Sequence, residues 1–308
     1  MNKKIGNTAQ LCSAQRVTVS IGPGKGLDLI IVDNGVLNFT LVESRCLDII
    51  KFSHKGMNAS FISKNGLCVT EDEFGHTFPA GMLYTCGLDS LGAREGHKLH
   101  GRAHNIPADI IELYIDEKKI KVVGEISITA LFGENLLITR TIETMALSDS
   151  VKITDVIKNR AYRDEKYCML YHINIGYPLL DEGAVIEADI EQTFSRNEWA
   201  ERNRSRVLIM DAPSDNAAEM CYFHKLNKPE ISLCNFSLKK RFTIKYSDNT
   251  LPYLVEWKSP ASGDYVIGLE PCTTWLDDKF TYSTIKSGEE IKNSIVLSVT
   301  DITLNEVK

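Results

Sequence analysis

The sequence predicts an all-β protein, built as a large antiparallel β-sandwich with few short helices. Short runs rich in β-branched and aromatic residues recur along the whole chain. Turn sequences separate these runs, among them DNG at 33–35, KNG at 64–66 and SGD at 262–264. Two packed antiparallel sheets are the simplest arrangement for so many short strands. Helical character is weak and confined to the segments 106–114 and 198–204.

The predicted strands follow one another from one end of the chain to the other. In the first half they are LDLIIVD (27–33), GVLNFTLV (35–42), CLDIIKF (46–52), NASFIS (58–63), KIKVVGEISITALF (119–132) and LLITRTIETM (136–145). In the second half they are SVKITDVI (150–157), RVLIM (206–210), RFTIKYS (241–247), PYLVEW (252–257), DYVIGLE (264–270) and SIVLSVTDITL (294–304). Because no repeat or low-complexity linker divides them, we expect one domain over residues 1–308.

The charge distribution and the hydropathy of the chain indicate which class of partner it binds. The net charge is -6, and acidic and basic residues are mixed along the chain, so no broad basic surface is predicted and nucleic acid is not an expected partner. No apolar stretch approaches the ~18 residues that a membrane helix needs, so no membrane association is expected. A small molecule is the expected partner, and a homodimer stays open.

The cysteines point to a reducing compartment. The chain has 8 of them, with no C-x-x-C pair, and most lie in apolar runs. That distribution favours reduced, buried thiols over a disulfide framework or a zinc site. The N-terminal segment also lacks a long apolar region followed by a cleavage signal. We therefore expect a cytoplasmic protein.

Two ionisable side chains lie in strand-like runs whose other residues are mostly apolar and are expected to be buried in the core. His172 lies in LYHINIGYP and Glu270 in YVIGLEPCTTW. Side chains alternate between the faces of a strand, so His172 and Asn174 share one face. An unpaired buried glutamate is costly, so either Arg102 or Lys258 neutralises Glu270 or it is a catalytic base with a shifted pKa. The sequence therefore predicts a cavity that water can enter between these two runs.

A third polar segment, LHGRAHNIPAD, adds a cation. On a strand His100, Arg102 and His104 would align on one face. The Arg102 guanidinium suits recognition of hydroxyl or carboxylate groups, and its structural alternative is a salt bridge to Asp89 or Asp109.

A metal site is the other interpretation of this region. It would use His97, His100 and His104 with Glu112, and it requires a bend at Gly96 or Gly101 because His97 and His100 fall on opposite faces. No metal is expected.

The residues around these positions resemble those of aldose 1-epimerases and their galactose mutarotase-like relatives. The resemblance rests on HGR around His100, YHINIGYP around His172 and GLEP around Glu270, in this order across nearly the whole chain. RCLDI at 45–49 and MLYTCGLDSLG at 82–92 are features of a less characterised branch. The resemblance implies a galactose mutarotase-like β-supersandwich with an open sugar-binding cleft on one sheet face.

The resemblance also implies roles for single residues. His172 matches the general acid toward the ring oxygen, Glu270 the base for the anomeric hydroxyl, and His100 a substrate-binding histidine. Arg45 in RCLDI takes the place of the family's sugar-binding arginine. Further substrate contacts are inferred from position: Arg102 and Asn174 as hydroxyl ligands, and Tyr177 and Trp275 as apolar faces for the ring.

Three functions compete. The leading one is a carbohydrate mutarotase or related sugar isomerase, which opens and recloses the ring at the anomeric carbon by acid/base chemistry and needs no cofactor. The alternative is a non-catalytic sugar-binding or sensing protein that keeps the cleft without turnover. The third is a cupin-like metal-dependent isomerase that uses the histidines of residues 97–104.

Overall fold

The computed structural model describes residues 3–69 and 72–303 and is dominated by antiparallel β-structure. The first nine strands are β1 (Ser13–Thr18), β2 (Asp28–Asp33), β3 (Leu37–Val42), β4 (Asp48–His54), β5 (Met57–Asn58), β6 (Tyr84–Leu88), β7 (Asp109–Ile115), β8 (Lys119–Thr129) and β9 (Asn135–Met145). The other nine are β10 (Ser150–Asn159), β11 (Glu165–Ile175), β12 (Val185–Ser195), β13 (Met220–Asn235), β14 (Lys240–Tyr246), β15 (Tyr253–Ala261), β16 (Asp264–Cys272), β17 (Ser283–Ile285) and β18 (Glu290–Asp301).

Helices are few and short in the part of the chain that the structure describes. The α-helices are α1 (Phe74–Thr77) and α2 (Glu198–Arg202), and three 3₁₀ turns cover Thr8–Gln10, Ala103–Asn105 and Arg204–Arg206. Asn197 begins α2 because its side chain accepts a hydrogen bond from the Ala200 amide. No helix among the described residues is long and apolar enough to cross a membrane.

Two antiparallel sheets pack into the predicted sandwich. One has 5 strands in the order β1-β2-β3-β4-β5, and the other has 13 strands. The main path of the larger sheet is β17-β11-β16-β15-β13-β14-β18-β10-β9-β8-β7, with β6 added beside β11 and β12 beside β13. The all-β prediction is confirmed, and most of the predicted strands are present. The centre of the larger sheet, where β6, β11, β16, β15 and β13 lie side by side, carries the polar segments of interest.

Two apolar clusters cover the two faces of this central region. The main core joins residues of both sheets, including Phe39 and Phe52 of the smaller sheet and Tyr171 and Ile173 of β11. A second cluster lies on the opposite face of β11, β16 and β13, with Leu170, Cys272 and Phe223 among its members. All eight cysteines are buried, as expected for apolar thiols.

Three segments differ from the prediction. The run NASFIS at 58–63 is not a continuous strand, because only Asn58 belongs to β5 while Ser60 and Ile62 form isolated bridges. Residues 109–114 of the weakly helical segment 106–114 belong to the edge strand β7, because they pair with β8 through a register shift near Ile110. The run RVLIM at 206–210 is not a strand. The carbonyls of Arg206 and Ile209 in this run accept hydrogen bonds from the Lys258 side chain of β15 at 2.7 and 2.6 Å.

A buried ion-pair network ties the two sheets together beneath β11. The Arg140 guanidinium is fully buried and forms two hydrogen bonds with Asp155, of 2.9 and 2.7 Å, and one of 2.9 Å with Asp48. The Tyr171 hydroxyl donates to Asp155 at 2.8 Å. Since Tyr171 precedes His172 on the strand, this network fixes the face of β11 that lies opposite the candidate site.

Replacing Arg140 with methionine should destabilise the protein strongly. The substitution leaves two carboxylates buried without their cation, which typically costs about 3–5 kcal/mol. Urea unfolding followed by circular dichroism would measure the loss. Lys158→Met is the matched control, because its pair with Glu290 at 2.8 Å is half exposed and such pairs contribute about 0–1 kcal/mol. Equal losses for the two variants would contradict the assignment.

Candidate active site

His172 and Glu270 form the centre of the candidate site. They lie on the neighbouring strands β11 and β16, and the pairing of Ile173 with Leu269 puts His172 directly opposite Glu270. Both side chains are buried, and His172 Nε2 lies 3.1 Å from Glu270 Oε1. The sequence predicted the two residues separately, and the strand register brings them into contact.

Gly268 makes room for this pair. It lies on the same face of β16 as Glu270, two residues away. A Cβ at position 268 would collide with Glu270 Oε1 and lie 3.2 Å from His172 Cε1. The φ angle of Gly268 lies outside the left-handed region, so the backbone conformation does not require a glycine. The lack of space for a Cβ does.

The pair is buried with unused hydrogen-bonding capacity. The contact between His172 and Glu270 lacks hydrogen-bond alignment, and both His172 Nδ1 and Glu270 Oε1 have no hydrogen-bond partner. Buried polar atoms without a partner are rare in folded proteins, and a catalytic role is one of the reasons for which they are kept. A ligand hydroxyl entering this space would find both an acceptor and a donor.

Burial shifts the pKa values of the two groups in opposite directions. Desolvation raises the pKa of Glu270 well above its usual value, and the charge of Glu219 adds to the effect. Desolvation lowers the pKa of His172 well below its usual value, helped by the neighbouring His100. Both directions favour the uncharged forms, a carboxylic acid at Glu270 and a neutral imidazole at His172.

His100 reaches the same space from a loop. Its ring centroid lies 5.8 Å from that of His172 and 5.5 Å from that of Phe74, which belongs to α1. Desolvation lowers the pKa of His100 to about 4, so the imidazole is neutral at physiological pH. Its Nδ1 is buried without a partner.

These side chains line a cavity of about 380 Å³, called here the inner cavity. That volume falls within the range of small-molecule sites. The sheet forms its floor, and the loop 92–100 together with α1 forms its walls. The lining residues are Phe74, Phe78, Gly92, Ala93, Leu99, His100, His172, Arg196, Glu219, Cys221, Val255, Trp257, Glu270 and Leu276.

Among the lining residues that were not predicted from the sequence, Arg196, Glu219 and Trp257 form a hydrogen-bonded group. Arg196 donates to Glu219 Oε1 at 2.5 Å, and the Trp257 indole donates to Glu219 Oε2 at 2.7 Å. Although burial opposes the change, these hydrogen bonds lower the pKa of Glu219, which is therefore a carboxylate. Trp257 also stands edge-on to His172, with the ring centroids 5.4 Å apart. The alternation of PYLVEW, which puts Val255 and Trp257 on one face, is the signal that could have identified the tryptophan.

The structure places Arg102 outside the inner cavity. Its guanidinium forms ion pairs with Asp89, at 3.3 Å, and with Glu134. The predicted alternation fails because His100 and Gly101 have positive φ angles of 62° and 77° and no strand forms here. The alternative of a salt bridge to Asp89 is the one that the structure favours.

The histidines around His100 have separate surroundings. His97 lies 3.8 Å from Asp89, and His104 is buried and stacked on Tyr84 with a centroid distance of 4.4 Å. Among the described residues, no group of three or more histidine, cysteine, aspartate or glutamate side chains could hold a metal ion. The geometry required by the metal-dependent alternative is therefore absent from this part of the chain.

Asn174 lies next to the site and binds the backbone around it. It is buried on β11, where it donates hydrogen bonds to the carbonyls of Gly81, at 2.9 Å, and His172, at 3.2 Å. It does not line the inner cavity. Its contact with the His172 backbone indicates a role in positioning that strand segment.

Three further predicted contacts lie away from the inner cavity. Arg45 donates to Asn105 at 2.7 Å and to the Cys68 carbonyl at 2.5 Å. Tyr177 follows the end of β11 and is 68% exposed. Trp275 packs on Tyr253 with a centroid distance of 4.2 Å. The tryptophan that lines the inner cavity is Trp257, whereas the sequence predicted Trp275 for that role.

Comparison with solved structures identifies the fold. A putative aldose 1-epimerase from Klebsiella pneumoniae subsp. pneumoniae superimposes with a TM-score of 0.86 at 20% identity, covering 94% of this chain and 83% of that protein. A galactose mutarotase-like protein from Clostridium acetobutylicum gives 0.71 at 14% identity, with 95% and 100% covered. Galactose 1-epimerase from Lactobacillus acidophilus gives 0.65 at 11% identity, with 95% and 100% covered. The fold is therefore mutarotase-like.

Comparison of the sequence itself gives the family. No curated protein matches the chain. A family model matches residues 24–284, which is most of the sequence, and its description is a domain of unknown function, DUF4432. The chain therefore belongs to the DUF4432 family and has a galactose mutarotase-like fold.

Proposed function

We propose that the protein is a sugar mutarotase, which interconverts the two anomers of a reducing sugar. The observation that carries the proposal is the 3.1 Å contact of His172 and Glu270 on the floor of a cavity of about 380 Å³. A proton donor and a proton acceptor held side by side, both short of hydrogen-bond partners, match what ring opening and reclosure need.

The reaction requires two proton transfers at neighbouring oxygens. A base removes the proton of the anomeric hydroxyl while an acid protonates the ring oxygen, and the bond between the anomeric carbon and the ring oxygen breaks. Rotation about the adjacent carbon–carbon bond exposes the other face of the carbonyl, and the reverse transfers close the ring. Glu270 is proposed as the base and His172 as the acid.

With both groups uncharged, the pair holds one titratable proton in addition to the N–H of the neutral imidazole, and this is the proton that the mechanism uses. Moving it from the Glu270 carboxyl to His172 gives a carboxylate and an imidazolium without changing the number of bound protons. Sugar hydroxyls that satisfy the two partnerless nitrogen and oxygen atoms would offset the cost of the two charges. After each turnover the pair again holds one proton, so no cofactor takes part in the proposed chemistry.

The surrounding residues would orient the sugar. The neutral His100 offers Nδ1 to a hydroxyl, and the Glu219 carboxylate, held by Arg196, accepts hydrogen bonds from others. Trp257 presents an aromatic ring beside the catalytic histidine, which suits the apolar face of a pyranose. Together they would restrict the sugar to the orientation that brings its anomeric carbon to the pair.

NMR exchange spectroscopy on a panel of reducing sugars would test the proposal. The expected result is a protein-dependent increase in the rate of exchange between α and β anomer signals of at least one sugar. The sugar-binding alternative predicts line broadening from binding with no such increase. That outcome for every sugar in the panel would refute the enzymatic function.

Gly268→Ala should reduce turnover while leaving the fold intact. The added methyl group displaces the Glu270 carboxylate from His172, and misplacement of a catalytic group by about 1 Å can cost about 10²-fold in rate. Anomer exchange at saturating sugar would measure the loss. Gly124→Ala is the matched control, a mid-strand glycine whose added Cβ would meet apolar side chains of the core at 3.2 Å. A similar fall in turnover for both variants would show that packing alone explains the effect.

A further inference from the structure

The inner cavity adjoins a second space, called here the outer compartment. Its volume is about 450 Å³, and it shares Phe74, Phe78, Glu219 and Trp257 with the inner cavity. The residues that line the outer compartment alone are Phe61, Ser63, Lys64, Asn65, Gly75, Ala217, Ser259, Ala261 and Asp264. The four shared residues lie at the boundary between the two spaces.

Strand β15 runs beneath both spaces. Val255, Trp257 and Ser259 alternate onto one face of the strand. Val255 lines only the inner cavity, Trp257 lines both spaces and Ser259 lines only the outer compartment. The four-residue step from Val255 to Ser259 spans roughly 13 Å. A single pyranose ring placed at the catalytic pair is shorter than this and leaves the outer compartment unfilled.

The outer compartment has the mixed lining of a sugar subsite. Phe61 and Trp257 contribute aromatic rings. Ser259 is buried, and its oxygen accepts a long hydrogen bond of 3.4 Å from the Ala261 amide, which leaves its hydroxyl hydrogen available. The Asn65 side-chain nitrogen donates to the carbonyls of Gly75, at 3.0 Å, and Phe78, at 3.2 Å. Apolar ring faces beside hydroxyl and amide groups are suited to a second sugar ring.

Each cationic side chain that lines the inner cavity or the outer compartment is paired with a carboxylate. Arg196 and Lys64 are the cations among the described residues that line the two spaces, and each is paired with a carboxylate. Arg196 pairs with Glu219 at 2.5 Å, and Lys64 pairs with Asp264 at 2.8 Å. His100 and His172 are neutral imidazoles in the inner cavity. Neither space therefore offers an unopposed positive charge to a phosphate or a carboxylate of a substrate.

We infer that the preferred substrate is an uncharged reducing disaccharide, with its reducing ring in the inner cavity and its second ring in the outer compartment. The glycosidic bond then passes between Trp257 and Phe74, and the free anomeric hydroxyl lies at Glu270 and His172. This inference rests on the proposed mutarotase function and adds the size and charge of the substrate to it.

The first test compares substrates on the unmodified protein. Anomer exchange would be measured for glucose and galactose, for neutral reducing disaccharides that cover each linkage position of these sugars, and for glucose 6-phosphate. Contacts made by a remote ring add to the stabilisation of the transition state. At least one disaccharide is expected to exceed both monosaccharides in kcat/KM by about tenfold or more, and glucose 6-phosphate should not exceed glucose.

The second test blocks the outer compartment alone. Ala217→Trp places a large ring in this space from an exposed loop, away from the catalytic pair. We expect kcat/KM for the best disaccharide to fall about tenfold or more while the value for glucose changes less than about twofold. Ala212→Trp is the matched control, because Ala212 is exposed in the same loop and lines neither space. It should leave both values unchanged.

The outcomes separate the two proposals. Exchange of monosaccharides without a preference for any disaccharide would overturn the inference and leave the mutarotase function standing. Equal losses for both substrate classes in Ala217→Trp, or a preference for glucose 6-phosphate over glucose, would overturn it as well. Failure of the unmodified protein to exchange the anomers of any sugar would refute the mutarotase function itself.

Discussion

Glu270→Gln is expected to abolish nearly all anomer exchange while sugar binding persists. The amide has the size of the carboxyl group but cannot accept the proton of the anomeric hydroxyl, and loss of a positioned base typically costs about 10² to 10⁴ in rate. Exchange spectroscopy would give the rate, and titration calorimetry the dissociation constant of the best substrate. Wild-type exchange of every bound sugar by this variant would rule out Glu270 as the base.

The chain contains a matched control for this substitution. Glu256 and His224 form another buried pair, with Oε2 and Nε2 3.0 Å apart, on neighbouring strands of the same sheet. Glu256 is adjacent to Trp257 on β15, so its side chain points to the opposite face. Glu256→Gln should therefore lower stability without changing the exchange rate. A loss of exchange in both variants would indicate that sheet integrity, and not proton transfer, is being measured.

His172→Gln is expected to reduce the exchange rate by a similar factor of about 10² to 10⁴. Glutamine keeps a polar group near the position of Nε2 but cannot deliver a proton to the ring oxygen. Measurement of exchange at saturating sugar, with circular dichroism to verify folding, would test this. His224→Gln provides the corresponding control, since His224 is buried and does not line the inner cavity.

The pH dependence distinguishes the catalytic pair from single groups. The pair is active with one proton, so exchange falls as pH decreases and His172 gains a second proton, below its usual pKa because that pKa is lowered. Exchange also falls as pH increases and the Glu270 carboxyl group loses the titratable proton, at a pH above the usual pKa of glutamate because burial raises that pKa. The exchange rate is therefore expected to depend on pH with a bell-shaped profile. Residual activity of His172→Gln should lack the acidic limb, and persistence of that limb would assign it to another group.

Much of the fold follows from local patterns. The alternating run SVKITDVI became β10, because one face of that strand is buried and the other is not. The apolar run DYVIGLE became β16, which is buried on both faces from residue 266 to 272. The helix α1 gave no such signal, since four residues are too few for a helical period. The edge strand β7 owes its conformation to pairing with β8, which no local pattern encodes.

The candidate site was predictable only in part. His172 and Glu270 stand out as polar residues in apolar strands. His100 stands in the polar segment LHGRAHNIPAD, and its substrate-binding role came from the family resemblance. The choice between Trp257 and Trp275 depended on which strands are neighbours, and pairing between distant segments determines that order. The position of Arg102 depended on the left-handed backbone at His100 and Gly101, which turns the segment away from a strand.

The hydrogen bond from Trp257 to Glu219 also gives the protein an optical reporter. The chain has 3 tryptophans, and Trp257 is the one that lines the inner cavity, where its indole stands next to a carboxylate and a histidine. Indole emission responds to the polarity and hydrogen bonding around the ring. Occupation of either space would exchange water for sugar at this side chain, so ligands can be screened by intrinsic fluorescence with unlabelled protein, before any substrate is known.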